Sequence, residues 1–382
     1  MKSVDFNEVI DFLEGPGVRN WQFTDSGIKL INIRNIVNDK INLENTTNYL
    51  SEEEVSKKYN HFLLKEGDYI MASSGVTWGK IAEVKKEHLP LCLNTSIIKL
   101  RPKDDNFEKK YLWYFIKSNI FTKQIDKIIT GSAQPNFGPS HLKKVKIPLP
   151  PLPQQQKIAN ILDAADALRQ NDKALIAKYD ELTQSLFLDM FGDYLNGKLY
   201  PLKDLVRFSQ GQQFGVEQQL LEPKEGYARF LRIVDYTQGE DLRFVPNRSI
   251  KYYVNKEDIV MVRYGASAGF VGTNKEGVLA NNLFKVNYDK VMFNQAFLFF
   301  IFQNERFKKF VNKEAFGAAM PALSFKVMER FEIPVPPLNI QNQFAERVTL
   351  IEAQKAVAQA SLVKSDELFN SLLQKAFKGE LV

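Results

Sequence analysis

Ile147-Pro-Leu-Pro-Pro-Leu-Pro-Gln-Gln-Gln-Lys-Ile-Ala159 returns, 186 positions on, as Ile333-Pro-Val-Pro-Pro-Leu-Asn-Ile-Gln-Asn-Gln-Phe-Ala345. Each is a stiff proline run feeding a long helical pattern, because proline fixes φ and is tolerated in a helix's first turn. At the same spacing Gly131-Ser-Ala-Gln-Pro135 falls on Gly317-Ala-Ala-Met-Pro321, and Tyr111-Leu-Trp-Tyr-Phe-Ile116 on Phe297-Leu-Phe-Phe-Ile-Phe302. Downstream, Leu182, Leu186 and Phe191 fall on Leu368, Leu372 and Phe377. One unit is used twice in this chain.

The 382 residues exceed one ordinary core and suit two domains. Hydrophobic content of 44% and charged content of 25% describe a soluble globular protein. The longest apolar run, Ala296 to Phe302, falls far short of the roughly 20 residues that span a bilayer, so no membrane association is expected. Met1 opens on Lys-Ser-Val-Asp-Phe, without a signal-peptide pattern, and the single Cys92 excludes an internal disulfide. Both point to a reducing, cytoplasmic setting. A net charge of +6 favours an anionic partner. The long helices are near neutral or slightly acidic, which leaves the positive excess to the segments between them.

In each repeat, strand patterns precede the helical part: Ile28 to Ile33, Gly67 to Gly75 ending in a glycine-containing loop, Lys80 to Val84 and Ser96 to Leu100 in the first, then Phe230 to Val234, Glu257 to Gly265 ending in such a loop, Phe270 to Thr273 and Leu283 to Val286 in the second. The aromatic stretches Glu108 to Ile120 and Asn294 to Arg306 read as helices covering a sheet face. From Ile161 the apolar positions Ile161, Ala165, Leu168, Leu175, Tyr179, Leu182 and Leu186 alternate steps of four and three, broken by Asp172, as in a coiled coil ended by Gly192. Val348, Ile351, Ala358, Leu362, Phe369 and Leu372 form a weaker seam, with Lys355 and Ser365 in it, ended by Gly379. A helix of about 36 residues is about 54 Å long and cannot bury such a stripe alone. The expected fold is mixed α/β: two similar globules separated by two long antiparallel helices, with pseudo-twofold internal symmetry. Boundaries fall at residues 1–150, 151–192, 193–336 and 337–382.

In this duplicated order, the pieces resemble the specificity subunit of type I restriction-modification enzymes, over practically the whole chain. The resemblance implies two target-recognition domains, each reading half of a split asymmetric site on double-stranded DNA, with the long helices as the ruler between them. It also implies two adenine methyltransferase subunits carrying S-adenosylmethionine, and restriction subunits that translocate and cut with ATP and magnesium, no cofactor being expected on this chain. The second copy departs from the pattern, having Gly317-Ala-Ala-Met-Pro-Ala322 where the first has Gly131-Ser-Ala-Gln-Pro-Asn136. Independently of the family, two related but non-identical readers impose no palindrome on the target, whereas a symmetric dimer would.

Base contacts are expected from loops and phosphate contacts from cations. The best loops are Ser73-Ser-Gly-Val-Thr-Trp-Gly-Lys80 and Arg263-Tyr-Gly-Ala-Ser-Ala-Gly269, at the same place in the repeat, each with two glycines four apart. They supply Ser73, Ser74, Thr77, Trp78 and Lys80, and Arg263, Tyr264 and Ser267. Arg263 has the fork that suits guanine, and Lys80 suits phosphate. The competing reading is an ordinary hairpin whose glycines only satisfy turn geometry. A second candidate is Gly131 to Asn136, with Gln134 and Asn136, next to Lys143 and Lys144. Scattered cations such as Arg34, Lys85, Lys86, Arg229, Arg232 and Arg248 read as a solvated face.

Enzyme signatures fail. Asp68 with Glu83-Val-Lys85 resembles a metal-dependent nuclease pattern, but in the second copy only Asp258 persists, followed by Thr273-Asn-Lys275. Ser140-His-Leu-Lys143 lacks companion motifs. The three histidines, His61, His88 and His141, lie far apart, so no zinc or other metal site is expected. No methyltransferase motif or phosphate-binding glycine loop is present. The reading is therefore a non-catalytic DNA-recognition and assembly subunit, with a plain coiled-coil scaffold as its rival.

Overall fold

A computed structural model of the chain describes residues 2–44, 46–129, 136–239, 241–247, 249–315 and 322–381. It divides into two units, Met1–Lys173 with Ala360–Val382, and Ala174–Gln359. The first long helix therefore belongs to the first unit up to Lys173 and to the second from Ala174.

The first unit is built on four strands, β1 (Ile10–Glu14), β2 (Tyr69–Ala72), β3 (Ile81–Glu83) and β4 (Ile97–Pro102). They form one antiparallel sheet in the order β1-β4-β2-β3. Alternation assigns the two faces. Tyr69, Met71, Ile81, Ile98 and Leu100 point into one core with the helices α1 (Lys109–Lys117) and α2 (Asn119–Ile128). Ile70, Ala72, Ala82 and Ile97 point the other way, onto Ile31, Leu91 and Leu93 of a smaller three-stranded sheet. With both faces covered, every residue of β2 is buried.

The second unit repeats the plan with β5 (Val206–Gln210), β6 (Ile259–Val262), β7 (Val271–Gly272) and β8 (Leu283–Tyr288), in the order β5-β8-β6-β7. Ile259, Met261, Phe284 and Val286 face its aromatic helices, while Val260, Val262 and Leu283 face Leu231, Val254 and Leu279. The expected strand from Phe230 to Val234 ends at Leu231. Ile233–Thr237 is a short helix, whose start is closed by the Asp235 carboxylate taking the Arg232 N–H at 2.9 Å.

Each aromatic stretch, read as one helix, is two. In the first unit the chain breaks at Ser118, whose hydroxyl caps α2 by accepting from Phe121 N–H. In the second, Asn304 accepts from Phe307 N–H at 2.8 Å and separates Gln295–Ile301 from Glu305–Ala315. A polar capping residue inside an apolar helical pattern is a start signal, and here it outweighs the periodicity.

The proline runs do what their repetition suggests. Pro151 and Pro337 offer the carbonyls that the first free helical N–H groups use, starting α3 (Leu152–Asn196) and α4 (Leu338–Lys378). Three residues in, Gln155 and Gln341 are almost wholly buried. Gln155 accepts from Glu108 N–H and donates to the Pro150 carbonyl, both at 2.9 Å. Gln341 accepts from Asn294 N–H and donates to the Pro336 and Met292 carbonyls. One amide thus ties proline run, long helix and aromatic helix together in each unit.

In the first unit the long helices pack antiparallel through Leu162, Ala165, Phe369 and Leu373. Arg169 lies 4.2 Å over the Phe369 ring and bonds Asp366 at 2.6 Å, while Asp172 accepts from Ser365 at 2.8 Å. In the second unit Phe187 and Phe191 meet Phe344 at 5.5 and 5.3 Å, and Lys355 pairs with Asp180. Val348, Ala358 and Phe369 are buried, and Ile351, Leu362 and Leu372 half-buried. On α3 the expected seam is displaced. Leu168, Leu175 and Leu182 are 52%, 40% and 50% exposed, and Ile161, Tyr179 and Leu186 only half-buried. The inward face holds buried Leu162, Ala165, Thr183 and Phe187 and half-buried Arg169 and Asp172. Its polar members find partners across the pair or, like Thr183, on their own helix, so the apolar period marks a neighbouring stripe.

Helix α3 does not stop at Gly192 but runs to Asn196, because Tyr194 and Leu195 beyond the glycine pack on the second core. That burial exceeds the roughly 1 kcal/mol a mid-helix glycine costs. Gly379 does end α4, at φ +80°, with Glu380 N–H returned to the Lys375 carbonyl and Gly379 N–H to Ala376.

Candidate nucleic-acid interface

Past β2 and β6 the chain turns in the same way. Gly75 and Gly79 sit at φ +75° and +80°, and Gly265 and Gly269 at +84° and +85°, the left-handed region that glycine enters without penalty. Gly79 N–H returns to the Ala72 carbonyl at 2.8 Å, and Gly269 N–H to Val262 at 2.9 Å. The hairpin geometry of the competing reading is present in both units.

The two candidate segments, separate in sequence, are neighbours in space. Ser74 bridges to Asn136, and Phe137 N–H donates to the Ser73 carbonyl at 3.0 Å. In the second unit Tyr264 bridges to Ala322, and Leu323 N–H donates to the Arg263 carbonyl at 2.9 Å. Gln134 and the rest of Gly131–Pro135, like Gly317–Pro321 and Arg248, lie outside the described residues.

The side chains divide. Lys80 is exposed, as are Lys143 and Lys144, which follow the short helix Pro139–Leu142. Their counterparts in the second unit are Glu329 and Arg330, the latter paired with Glu314. Thr77 and Ser267 are half-buried at the turn. Trp78 packs edge-on against Phe137 at 5.7 Å, so its indole holds the loop down. Ser73 is fully buried, and its hydroxyl has no partner among the described residues. Arg263, half-buried, donates from Nη1 to Gln210 Oε1 at 2.8 Å and lies over the rings of Tyr264 and Phe325 at 4.8 and 5.3 Å.

Sequence reasoning did not single out the residues beside these loops. Glu14 and Gln210 end the first strand of each sheet and reach the same corner. Ser96 and Asn282 precede β4 and β8, and their carbonyls accept the N–H groups of Ser73 and Arg263, each at 2.9 Å. The available signal is the glycine that follows. A Cβ on Gly15 or Gly211 would come within 2.2 Å of the carbonyl oxygen of Asn94 or Ala280, so each marks a close backbone crossing. Burial holds the Glu14 carboxyl above the usual range, an effect opposed by the Ser96 backbone N–H and by His141.

The nuclease-like carboxylates have other work. Asp68, 1% exposed, takes Arg101 at 2.5–2.8 Å, Glu83 takes Lys109, and Asp258 takes Lys285. Of the scattered cations, Arg229 and Arg232 both reach Asp235, and Arg232 also Asp241. Among the described residues no group of three His, Cys, Asp or Glu side chains is placed to hold a metal ion, and no helix is long and apolar enough to cross a membrane.

The family described as the type I restriction modification DNA specificity domain matches residues 7–178 and again 197–360. Among curated proteins, the chain is 30% identical over 191 residues to the type I restriction enzyme MjaVIII specificity subunit of Methanocaldococcus jannaschii, covering 48% of this chain and 44% of that one. It is 23% identical to the EcoKI specificity subunit of Escherichia coli, over 94% of this chain and 83% of the other. The crystal structure of the type I S subunit from M. genitalium superposes with a TM-score of 0.55 at 16% identity, covering 98% and 96% of the two chains, and so shares the fold. With both repeats matched, the chain belongs to the type I restriction-modification DNA specificity family.

Proposed function

We propose that this chain is the non-catalytic, cytoplasmic DNA-reading subunit of a type I restriction-modification complex, each unit recognising one half of a bipartite, asymmetric site. The observation that carries this is the site built twice on one backbone plan with different side chains, Ser73 in one unit and Arg263 in the other. Equal scaffolds with unequal readers are what an asymmetric target requires. The long helices are the spacer between the half-sites. Two methyltransferase subunits bring S-adenosylmethionine and perform base flipping and methyl transfer, and restriction subunits bring ATP, magnesium and cleavage. A scaffold without DNA readout leaves the duplicated loop site without a use, and the named relatives are all specificity subunits.

The test is binding of the assembled methyltransferase complex to target duplex as salt is varied. The affinity is expected to fall steeply, with Lys80→Ala, Lys143→Ala and Lys144→Ala each lowering the logarithmic salt slope by about one and weakening all sequences alike. A salt-independent interaction would favour the scaffold.

A further inference from the structure

The equivalent corner in each unit carries one backbone plan and two chemistries. In the first unit, Ser73 N–H donates to Ser96 carbonyl, Phe137 N–H to Ser73 carbonyl, and Gly15 N–H to Ile97 carbonyl. In the second, the same three bonds join Arg263 to Asn282, Leu323 to Arg263, and Gly211 to Leu283, at 2.9–3.1 Å. The side chains on this frame do not match. The first unit presents the carboxylate of Glu14 near the Ser96 backbone and against Gly138, where an added Cβ would lie 3.0 Å from Glu14 Oε2, while the Ser73 hydroxyl has no partner among the described residues. The second presents the Arg263 guanidinium on Gln210, while Asn282, whose carbonyl takes the Arg263 N–H, has an Oδ1 without a partner among the described residues.

Arg263 is held as a planar donor. Gln210 donates to the Asn281 carbonyl at 2.8 Å, which turns its Oε1 toward Arg263 Nη1. The Arg263 guanidinium carbon lies over the Tyr264 and Phe325 rings, and the buried Nε–H has no acceptor among the described residues. Such a fork suits an acceptor pair in one plane, which guanine offers at O6 and N7. A carboxylate is acceptor only. It suits the N4 amine of cytosine and not adenine, where the N7 lone pair beside the N6 amine repels it.

We propose that this corner is the base-selecting position of each repeat: Arg263, positioned by Gln210, takes a guanine in the half-site of the second unit, and Glu14 takes a cytosine in that of the first. This rests on the proposed function, that each unit reads one half-site.

The test uses the full chain with its methyltransferase partners, in a host whose methylation motif is mapped by single-molecule sequencing. Arg263→Lys, which keeps the charge but loses the fork, is expected to lower the preference for guanine at one position of one half-site by roughly 5- to 150-fold, leaving the other half intact. Gln210→Ala relaxes the same position less. Glu14→Gln moves one cytosine of the other half toward adenine, because an amide pairs with N6 and N7 together. Binding selection on random duplexes with the purified complexes, with melting curves as the check on folding, gives the same readout where methylation is lost. Motifs unchanged in every position, or complexes that bind all sequences equally less well, would overturn the assignment and leave the corner a structural one. A parent complex whose motif has no second half would instead overturn the underlying reading.

Discussion

Glu14 is the residue at which stability and recognition pull apart. Its carboxyl is held above the ordinary range, first by burial, so ionising it costs the folded chain more than the unfolded one. For such a group the favourable contribution is complete below the unfolded value of about 4.3 and is lost as pH rises through the folded one. Glu14→Gln, which does not titrate, is therefore expected to melt higher than the parent at pH 7, with the difference closing as pH falls toward about 4. Melting curves from pH 4 to 8 check this, and a constant or reversed difference would refute it. The glycines of the two loops were legible because their spacing of four recurs at equivalent places. Glu14 and Gln210 were not, since one polar residue at a strand end has no period and meets its partner more than fifty positions away.

Among the elements, the buried glutamines explain why the proline runs repeat so closely. Gln155→Ala leaves the Glu108 N–H and the Pro150 carbonyl without the side-chain amide that joins them, an expected loss of about 2–3 kcal/mol in chemical denaturation. A loss below about 0.5 kcal/mol would mean water replaces the amide. The helix seam offers a sharper contrast. Leu162→Ala, at a fully buried position, is expected to cost about 2–5 kcal/mol, while Leu168→Ala, 52% exposed, costs under about 1. Equal losses would restore the seam expected from periodicity. That expectation kept Ala165 and Asp172 but missed Leu162, Thr183 and Phe187 by one position, because Arg169 and Thr183 sit on the inward face with bonded partners and a pattern that counts only apolar residues passes over them.

For the whole molecule, the spacing of 186 residues made the duplication, the mixed α/β class and the long helices readable without coordinates. The sheet order, identical in both units, was hidden, because strands Ile10–Glu14 and Ile97–Pro102 pair across more than eighty residues and nothing local specifies that choice. The joining of each loop to the segment before the proline run was hidden for the same reason. The central claim is that recognition is modular, one unit to one half-site. It is tested most directly by replacing residues 5–145 with the corresponding domain of another specificity subunit, in a host carrying the partner subunits, and sequencing the methylated genome. One half of the motif is expected to change while the other half and the gap stay as they were; a motif altered in both halves, or in neither, would contradict the account.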